Sequence, residues 1–433
     1  MKKTLFCVLA TLCMLQTSAQ EYVPTAENLA SRKQFEDDRF GIFLHWGIYS
    51  MFAQGEWYLN NGNLSQKEYV KVADAFYPHR FNAHDWVATI KESGAKYICL
   101  TSRHHDGFSM WNTKTSPYNI VNATPFGRDV IKELAEECQK QGIKLHLYYS
   151  HLDWGRTDYP QGRTGKNTGR DAKQADYDHY FKFMNAQLTE LLTNYGPIGA
   201  IWFDGMWDHD SDSIPFDWRL REQYDLIHRL QPGCLIGNNH HKSVYPGEDF
   251  QMFERDLPGQ NTTGWANDQT VSKLPLETCE TMNGMWGYKV NDQNYKSTEE
   301  IIQLLIKAAG NGANLLMNLG PQPNGELPAM GIQRLYEVGK WMKEYGETIY
   351  GSSAGDLKPQ EWGATTRKGR LLYVHVFKQP GTSLELPLNC EVESATLFPE
   401  GTAVSFTKQG DKIILPLPEK TNRVDYVFCL KTK

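Results

Sequence analysis

The most constraining feature of this 433-residue sequence is an alternation of short apolar runs with longer stretches of helical periodicity. Six apolar runs lie between about residues 38 and 350, at positions 40–46, 96–102, 143–149, 200–204, 234–237 and 314–318. Helical signals separate several of these runs, and Ser297 followed by Glu300 has the spacing of a capping box that begins a helix. This order predicts parallel strands joined by crossover helices, and therefore a barrel-like α/β body.

The carboxyl-terminal part of the chain has a different period. After about residue 355, apolar and polar residues alternate in six short segments, at positions 371–377, 384–388, 395–398, 404–407, 412–417 and 425–430. Short strands at this spacing, separated by turn signals such as Gly410-Asp411, predict a small antiparallel β-sandwich. We therefore expect an α/β domain of residues 21–350 and a β-sandwich domain of residues 351–433.

The first twenty residues have the pattern of a secretory signal peptide. Lys2 and Lys3 precede an apolar run at positions 5–15, and small residues end at Ala19. The run is shorter than the roughly 18 apolar residues of a membrane-spanning helix. We expect cleavage near Ala19 or Gln20 and an exported protein, either periplasmic or extracellular.

The charge of the chain excludes some classes of partner. The formal net charge is −6, and no run of lysine or arginine occurs. A nucleic-acid-binding protein would normally present a basic stripe, so nucleic acid is not expected as a partner. No later segment approaches the length of a membrane-spanning run, so no membrane span is expected either.

Polar and aromatic residues follow five of the apolar runs at the positions where the strands should end. They are His45, Trp46, Arg103, His104, His105, Asp106, Tyr148, Tyr149, Asp204, Asn238, Asn239, His240 and His241. In parallel α/β barrels the carboxyl ends of the strands converge on one face, and that face holds the site. The five groups are therefore predicted to meet in one pocket.

The sequence offers little support for a metal site. His104 and His105 are adjacent, and neighbouring residues of a strand point to opposite faces, which makes joint ligation of one ion unfavourable. Asp208, Asp210 and Asp212 alternate like a calcium loop, yet the glycine and the final glutamate of that loop are missing. We therefore expect neither a metal nor a cofactor.

Asp204 stands out because it ends the apolar run Ile201-Trp202-Phe203 and precedes a flexible glycine. A lone aspartate at a strand end is often structural. Here the neighbouring strand ends add histidine, tryptophan and tyrosine, and such a mixture suits a sugar: aromatic rings stack on its CH faces and imidazoles bond its hydroxyls.

At these positions the sequence resembles the α-L-fucosidases of glycoside hydrolase family 29. The resemblance extends over about residues 35–350 and has the motifs in family order: FLHWGIY at 43–49, GEWY at 55–58, HHDGF at 104–108, WFDG at 202–205, ETC at 277–279, WGY at 286–288 and NLLMNLGP at 314–321. It implies a catalytic (β/α)8-like barrel, a following β-sandwich, and metal-free removal of terminal α-L-fucose from glycoconjugates with retention of configuration.

The resemblance also implies roles for individual residues. Asp204 matches the family's nucleophile, and Trp286 matches the aromatic residue that faces the methyl group of fucose. The other expected sugar-binding residues are His45, Glu56, Trp57, His104, His105, Tyr149 and Trp202. Many relatives have Asn-Asp-Arg-Trp where this chain has residues 238–241, so His240 is expected in the place of the arginine.

The second carboxyl group, the general acid and base, is harder to assign because it lies on a loop in this family. Glu254 best resembles the family position, Glu277 is the alternative, and Glu248 and Asp249 are further candidates. Two other functions stay open at this point. One is a glycosidase for another sugar of similar stereochemistry, and the other is a fucose-binding protein without catalysis.

Overall fold

The computed structural model describes residues 22–266, 269–418 and 424–433, so the expected signal peptide of residues 1–20 lies outside the described part. Eight strands form one sheet in the order β5-β4-β3-β2-β1-β8-β7-β6, and every hydrogen-bonded pair in it is parallel. The strands are β1 (Phe40–Leu44), β2 (Tyr97–Arg103), β3 (Lys144–Ser150), β4 (Ala200–Asp204), β5 (Leu235–Asn239), β6 (Gln251–Glu254), β7 (Leu276–Thr281) and β8 (Ala313–Leu319).

Helices connect most of these strands. The α-helices of the described residues are α1 (Ala26–Asp38), α2 (Tyr58–Asn61), α3 (Gln66–Tyr69), α4 (Ala83–Glu92), α5 (Val130–Gln141), α6 (Tyr177–Asn194), α7 (Leu220–Leu230), α8 (Thr298–Gly310) and α9 (Ala329–Tyr345). Ser297 caps α8 through the expected capping box with Glu300. Loops follow β5 and β6, which makes the body (β/α)8-like. Within the described ranges, no helix is both long and apolar enough to cross a bilayer.

The seam of the barrel, between β5 and β6, is closed by Asp249. Its backbone N–H donates to the carbonyl of Ile236 at 2.7 Å, and the N–H of Ile236 donates to the Asp249 carboxylate at 2.8 Å. Arg32 of α1 and His228 of α7 bond the same carboxylate at 2.6 and 2.8 Å. These contacts satisfy backbone groups that a regular ladder would otherwise pair.

The end of the barrel opposite the strands' carboxyl ends is closed by α1. Phe35 of this helix packs on Tyr97 and Phe250, with ring centroids 5.5 and 4.8 Å apart. Aromatic side chains prefer such tilted contacts inside a core. The interior of the barrel is therefore filled at the amino ends of the strands, and open space is left at their carboxyl ends.

The carboxyl-terminal residues form two antiparallel sheets, in the orders β13-β16-β11-β10-β9 and β12-β15-β14. Their strands are β9 (Ser353–Ala354), β10 (Gly363–Lys368), β11 (Leu371–Val376), β12 (Ser383–Pro387), β13 (Val392–Phe398), β14 (Thr407–Gln409), β15 (Lys412–Pro416) and β16 (Tyr426–Thr432). Leu372, Leu415 and Phe428 belong to the apolar core of this region. The expected antiparallel sandwich is confirmed.

The predicted fold class is confirmed, and there is a physical reason why the sequence pattern misses some of the barrel strands. Each of the six apolar runs overlaps a barrel strand, but the pattern does not predict β6 and β7. β6 has only four residues, and polar side chains interrupt the apolar pattern of β7. The prediction of a strand at 404–407 is wrong, since β14 begins only at Thr407.

Candidate active site

A cavity of about 470 Å³ opens at the carboxyl ends of the barrel strands. Nine residues expected at the site line it: His45, Glu56, Trp57, His104, His105, Trp202, Asp204, Glu254 and Trp286. Eight further residues complete the lining: Phe43, Tyr148, Arg163, Trp207, Asn239, His241, Arg255 and Trp265. The cavity therefore holds residues of all five predicted strand-end groups, but Trp46, Arg103, Asp106 and Asn238 of those groups do not line it.

Asp204 ends β4 and lies among hydrogen-bond donors. One carboxylate oxygen accepts from the hydroxyl of Tyr148 at 2.9 Å. The other accepts from the indole N–H of Trp207 at 2.9 Å and from the backbone N–H of Gly205 at 2.8 Å. These donors fix the orientation of the carboxyl group and stabilise its charge.

The pKa of Asp204 is raised to about 6. Burial is the main cause, and the charge of Glu254 acts in the same direction. The hydrogen bonds from Trp207 and Tyr148 lower the pKa and so limit the shift. Asp204 is therefore ionised at neutral pH, although it lies in a buried pocket.

Glu254, at the end of β6, is tied to Asp204 through the side chain of Asn239. The amide nitrogen of Asn239 donates to Glu254 Oε2 at 2.8 Å and lies 3.4 Å from Asp204 Oδ1. Those two oxygens can therefore be no more than about 6 Å apart, which is below the ~6.5–9.5 Å carboxyl separation of inverting glycosidases and allows the ~5–5.5 Å of retaining ones.

His241 is the second partner of Glu254, with its Nε2 3.1 Å from the same carboxylate oxygen. Burial raises the pKa of Glu254, and the hydrogen bond and charge of His241 oppose it, together with Asn239 and Arg255. The opposing contributions prevail, so the pKa of Glu254 lies below its usual value. Their surroundings thus shift the pKa values of the two carboxyl groups in opposite directions.

Three imidazoles of the pocket are neutral at neutral pH because burial disfavours their charged forms. Burial lowers the pKa of His45 to about 3 and those of His104 and His105 well below the usual value. Ser150 donates its hydroxyl to the carbonyl of Leu152, so it accepts from Nδ1 of His105. His105 therefore keeps Nε2 free of a proton, as an acceptor for a ligand hydroxyl.

His45 has the same tautomer for a similar reason. Asn318 donates its amide N–H to the carbonyl of Trp286 at 2.7 Å, which turns its side-chain oxygen toward Nδ1 of His45, also at 2.7 Å. Nδ1 of His45 must then carry the proton, and Nε2 is an acceptor. The pairing of β1 with β8 thus brings Asn318 to His45 and fixes the tautomer of this histidine.

Aromatic rings form the walls of the cavity. Trp57 stacks on Trp207 at 5.6 Å, while Trp286 packs against Phe43 and His45 at 6.0 and 5.1 Å. Glu56 is buried beside them and accepts from the backbone N–H of Gly287 at 2.7 Å. The cavity thus joins flat apolar surfaces to a few fixed polar groups, as sugar-binding pockets do.

Tyr149 does not line the cavity, and Tyr148 does. The strand register pairs Tyr148 with Trp202, which faces inward, and pairs Tyr149 with Phe203. Tyr149 points toward the helices, where its hydroxyl donates to Gln187 of α6 at 2.8 Å. The two adjacent tyrosines could be distinguished only by the parity of the strand, which the apolar run did not reveal.

His240 also lies outside the cavity lining, and His241 takes the position expected for it. The backbone N–H of Lys242 donates to Nδ1 of His240, which leaves Nε2 of His240 to donate to Glu248 at 3.0 Å. His241 turns toward Glu254 because its backbone has a left-handed φ of 60°. No residue pattern indicates that turn, since such a φ is uncommon outside glycine.

Glu277, the alternative acid, lies inside the barrel and does not line the cavity. It accepts from the hydroxyl of Tyr97 at 2.6 Å and from the indole N–H of Trp202 at 2.9 Å. Burial raises its pKa to about 7. Its position is that of a group that holds Trp202. Glu248 and Asp249 are likewise engaged, with Tyr224 and with Arg32.

The cavity lies at the carboxyl ends of the barrel strands and joins a pair of acidic side chains to aromatic walls. This combination defines a barrel glycoside hydrolase. Residues 9–347 match the family model described as Alpha-L-fucosidase. The chain belongs to the alpha-L-fucosidase family.

Individual relatives agree with this assignment. The chain is 28% identical to the alpha-L-fucosidase of Dictyostelium discoideum, with 99% of this chain and 98% of the relative covered. It is similar to the structure of alpha-L-fucosidase isoenzyme 1 from Paenibacillus thiaminolyticus, with 32% identity, a TM-score of 0.83 and coverage of 94% and 100%. It is also similar to a trapped covalent intermediate of an alpha-L-fucosidase from Bacteroides thetaiotaomicron, with 27% identity, a TM-score of 0.80 and coverage of 93% and 96%.

The two neighbouring tyrosines give a matched test of the site geometry. Tyr148→Phe removes a hydrogen bond that lowers the pKa of Asp204, so that pKa should rise above its value of about 6. We expect kcat/KM for an aryl α-L-fucoside to fall by about tenfold at acidic pH. The loss should shrink as the pH rises and Asp204 ionises again. Tyr149→Phe should stay within about twofold of wild type at every pH. Equal losses in the two variants would contradict the inward position of Tyr148.

Proposed function

We propose that this alpha-L-fucosidase removes terminal α-L-fucose with retention of configuration, with Asp204 as the nucleophile and Glu254 as the acid and base. The observation that carries the proposal is the Asn239 amide, which holds one oxygen of each carboxyl group within its reach. A short separation leaves no room for a water molecule between the sugar and the second carboxyl, so one carboxyl must attack the sugar itself.

Asp204 suits the attacking role. Its charge is stabilised by the hydroxyl of Tyr148 and the indole of Trp207, which keep it ionised and oriented in a buried site. In the first step Asp204 forms a bond to C1 of fucose as the bond to the leaving oxygen breaks. Glu254 gives its proton to that oxygen.

The location of the proton before this step follows from the two opposite pKa shifts. In the empty cavity both carboxyl groups are ionised at neutral pH, and a proton that the pair takes up at lower pH goes first to Asp204, because the pKa of Asp204 is raised and that of Glu254 is lowered. The reactive form has the proton on Glu254. A bound glycosidic oxygen accepts a hydrogen bond only from protonated Glu254, so substrate binding favours that form.

The lowered pKa of Glu254 suits the second step. Once Asp204 is esterified, its negative charge is gone, and Glu254 must be ionised to take a proton from the attacking water. The partners Asn239 and His241 stabilise that carboxylate. The water then replaces Asp204 at C1, and the sugar leaves with its original configuration.

The preference for fucose is assigned to the apolar side of the cavity. Phe43 and Trp286 pack together there, and neither ring has a hydrogen-bond acceptor for the proton of a hydroxyl at C6. A methyl group can be buried against these rings without cost, whereas a buried hydroxyl without a partner would be disfavoured by about 1–3 kcal/mol. Neutral His45 and His105 are placed to accept ring hydroxyls.

Azide rescue distinguishes the two carboxyl roles. Asp204→Ala and Glu254→Ala should each lower kcat for an aryl α-L-fucoside, by about a thousandfold or more for Asp204→Ala. Azide should restore turnover of Asp204→Ala and give the inverted fucosyl azide. With Glu254→Ala it should give the retained product. Glu277→Ala is the matched control, and no azide product is expected from it. An azide product with Glu277→Ala in place of Glu254→Ala would reverse the assignment of the acid.

We also propose that the protein is exported after removal of a signal peptide. The support is the lysine pair, the apolar run at 5–15 and the small residues that end at Ala19. Amino-terminal sequencing of the protein from an expressing bacterium should find a mature chain that begins just after Ala19 or Gln20. A cell-associated chain that retains Lys2 and Lys3 would contradict export.

A further inference from the structure

Trp265 lies at the mouth of the cavity with 48% of its surface exposed. The tryptophans deeper in the cavity differ, since Trp202 and Trp207 are 2% and 7% exposed. The exposed part of an indole ring does not stabilise the folded state by burial. An exposed aromatic residue beside a ligand pocket is a frequent element of a binding surface.

The loop that carries Trp265 is built to hold it. Asp256, which is buried, accepts from the backbone N–H groups of Thr262 and Thr263 at 2.9 and 3.3 Å and from both of their hydroxyls. The N–H of Ala266 donates to the side chain of Asn261 at 3.0 Å. The indole is therefore presented by an ordered loop, so its position at the mouth is specified.

Trp265 is also connected to the acid. Its ring stacks on the imidazole of His241, with centroids 5.5 Å apart and planes 25° apart, and His241 bonds Glu254. Glu254 must face the glycosidic oxygen, so the leaving group extends from the fucose past Glu254 toward solvent. The exposed indole lies on that side.

We propose that Trp265 is the platform for the leaving group and that this group is a hexopyranose whose apolar face stacks on the indole. The proposal rests on the proposed function, because the direction of the leaving group follows from Glu254 as the acid. It makes Trp265 a determinant of leaving-group specificity.

The proposal is tested with Trp265→Ala and three substrates. α-L-Fucosyl fluoride needs no acid and has no ring in its leaving group, methyl α-L-fucoside needs the acid but has no ring, and a fucosyl-galactose disaccharide has both. We expect kcat/KM of the variant to fall by about tenfold for the disaccharide and to stay within about threefold for the other two. Trp265→Phe, which keeps a ring, should lose less on the disaccharide.

Tyr336→Ala is the matched control, because Tyr336 on α9 is 52% exposed and does not line the cavity. It should leave all three rates unchanged. An equal loss of kcat/KM for methyl fucoside and the disaccharide would overturn the proposal, since Trp265 would then act only through His241 and the acid. No loss on the disaccharide would overturn it as well. If wild type cleaved none of the three substrates, the proposed function itself would fail.

Discussion

The site depends on one amide group, the side chain of Asn239, which reaches both carboxyl groups of the cavity. Its position follows from the barrel, because the parallel register places Asn239 on β5 level with Asp204 on β4 and Ser150 on β3. A one-residue shift of any of these strands would turn the wrong side chains inward. The chemistry therefore rests on the register of the sheet, and the closure of the barrel by Asp249 supports that register.

Around this pair of carboxyl groups, burial keeps the histidines neutral, whereas hydrogen bonds stabilise the charged carboxylates. Burial keeps His45 and His105 of the cavity lining uncharged, so they act as neutral hydrogen-bonding groups. Asp204 keeps its charge because Tyr148 and Trp207 donate to it, and Glu254 keeps its low pKa through His241 and Asn239. Because the pKa of Asp204 is raised and that of Glu254 is lowered, the proposed mechanism needs a bound substrate to hold the proton on Glu254.

Much of this could be predicted from the sequence. The apolar runs indicated the barrel strands, their polar ends indicated the face of the site, and the motifs indicated Asp204. Three details depended on information the pattern lacks. Tyr148 and Tyr149 differ only in strand parity, His241 enters through a left-handed turn, and Trp265 belongs to a loop ordered by Asp256 rather than to a motif. These details depend on strand register, on the backbone conformation at one residue and on hydrogen bonds within a loop.

The most direct test of the account is covalent trapping of wild-type enzyme with a 2-deoxy-2-fluoro-α-L-fucosyl fluoride, followed by peptide mapping. The fluorine at C2 slows both steps, and fluoride is a good leaving group, so an ester intermediate should accumulate. The account predicts one fluorofucosyl group per chain, attached to Asp204. A label on another residue, or rapid turnover of a natural fucoside with no label and an inverted product, would contradict it.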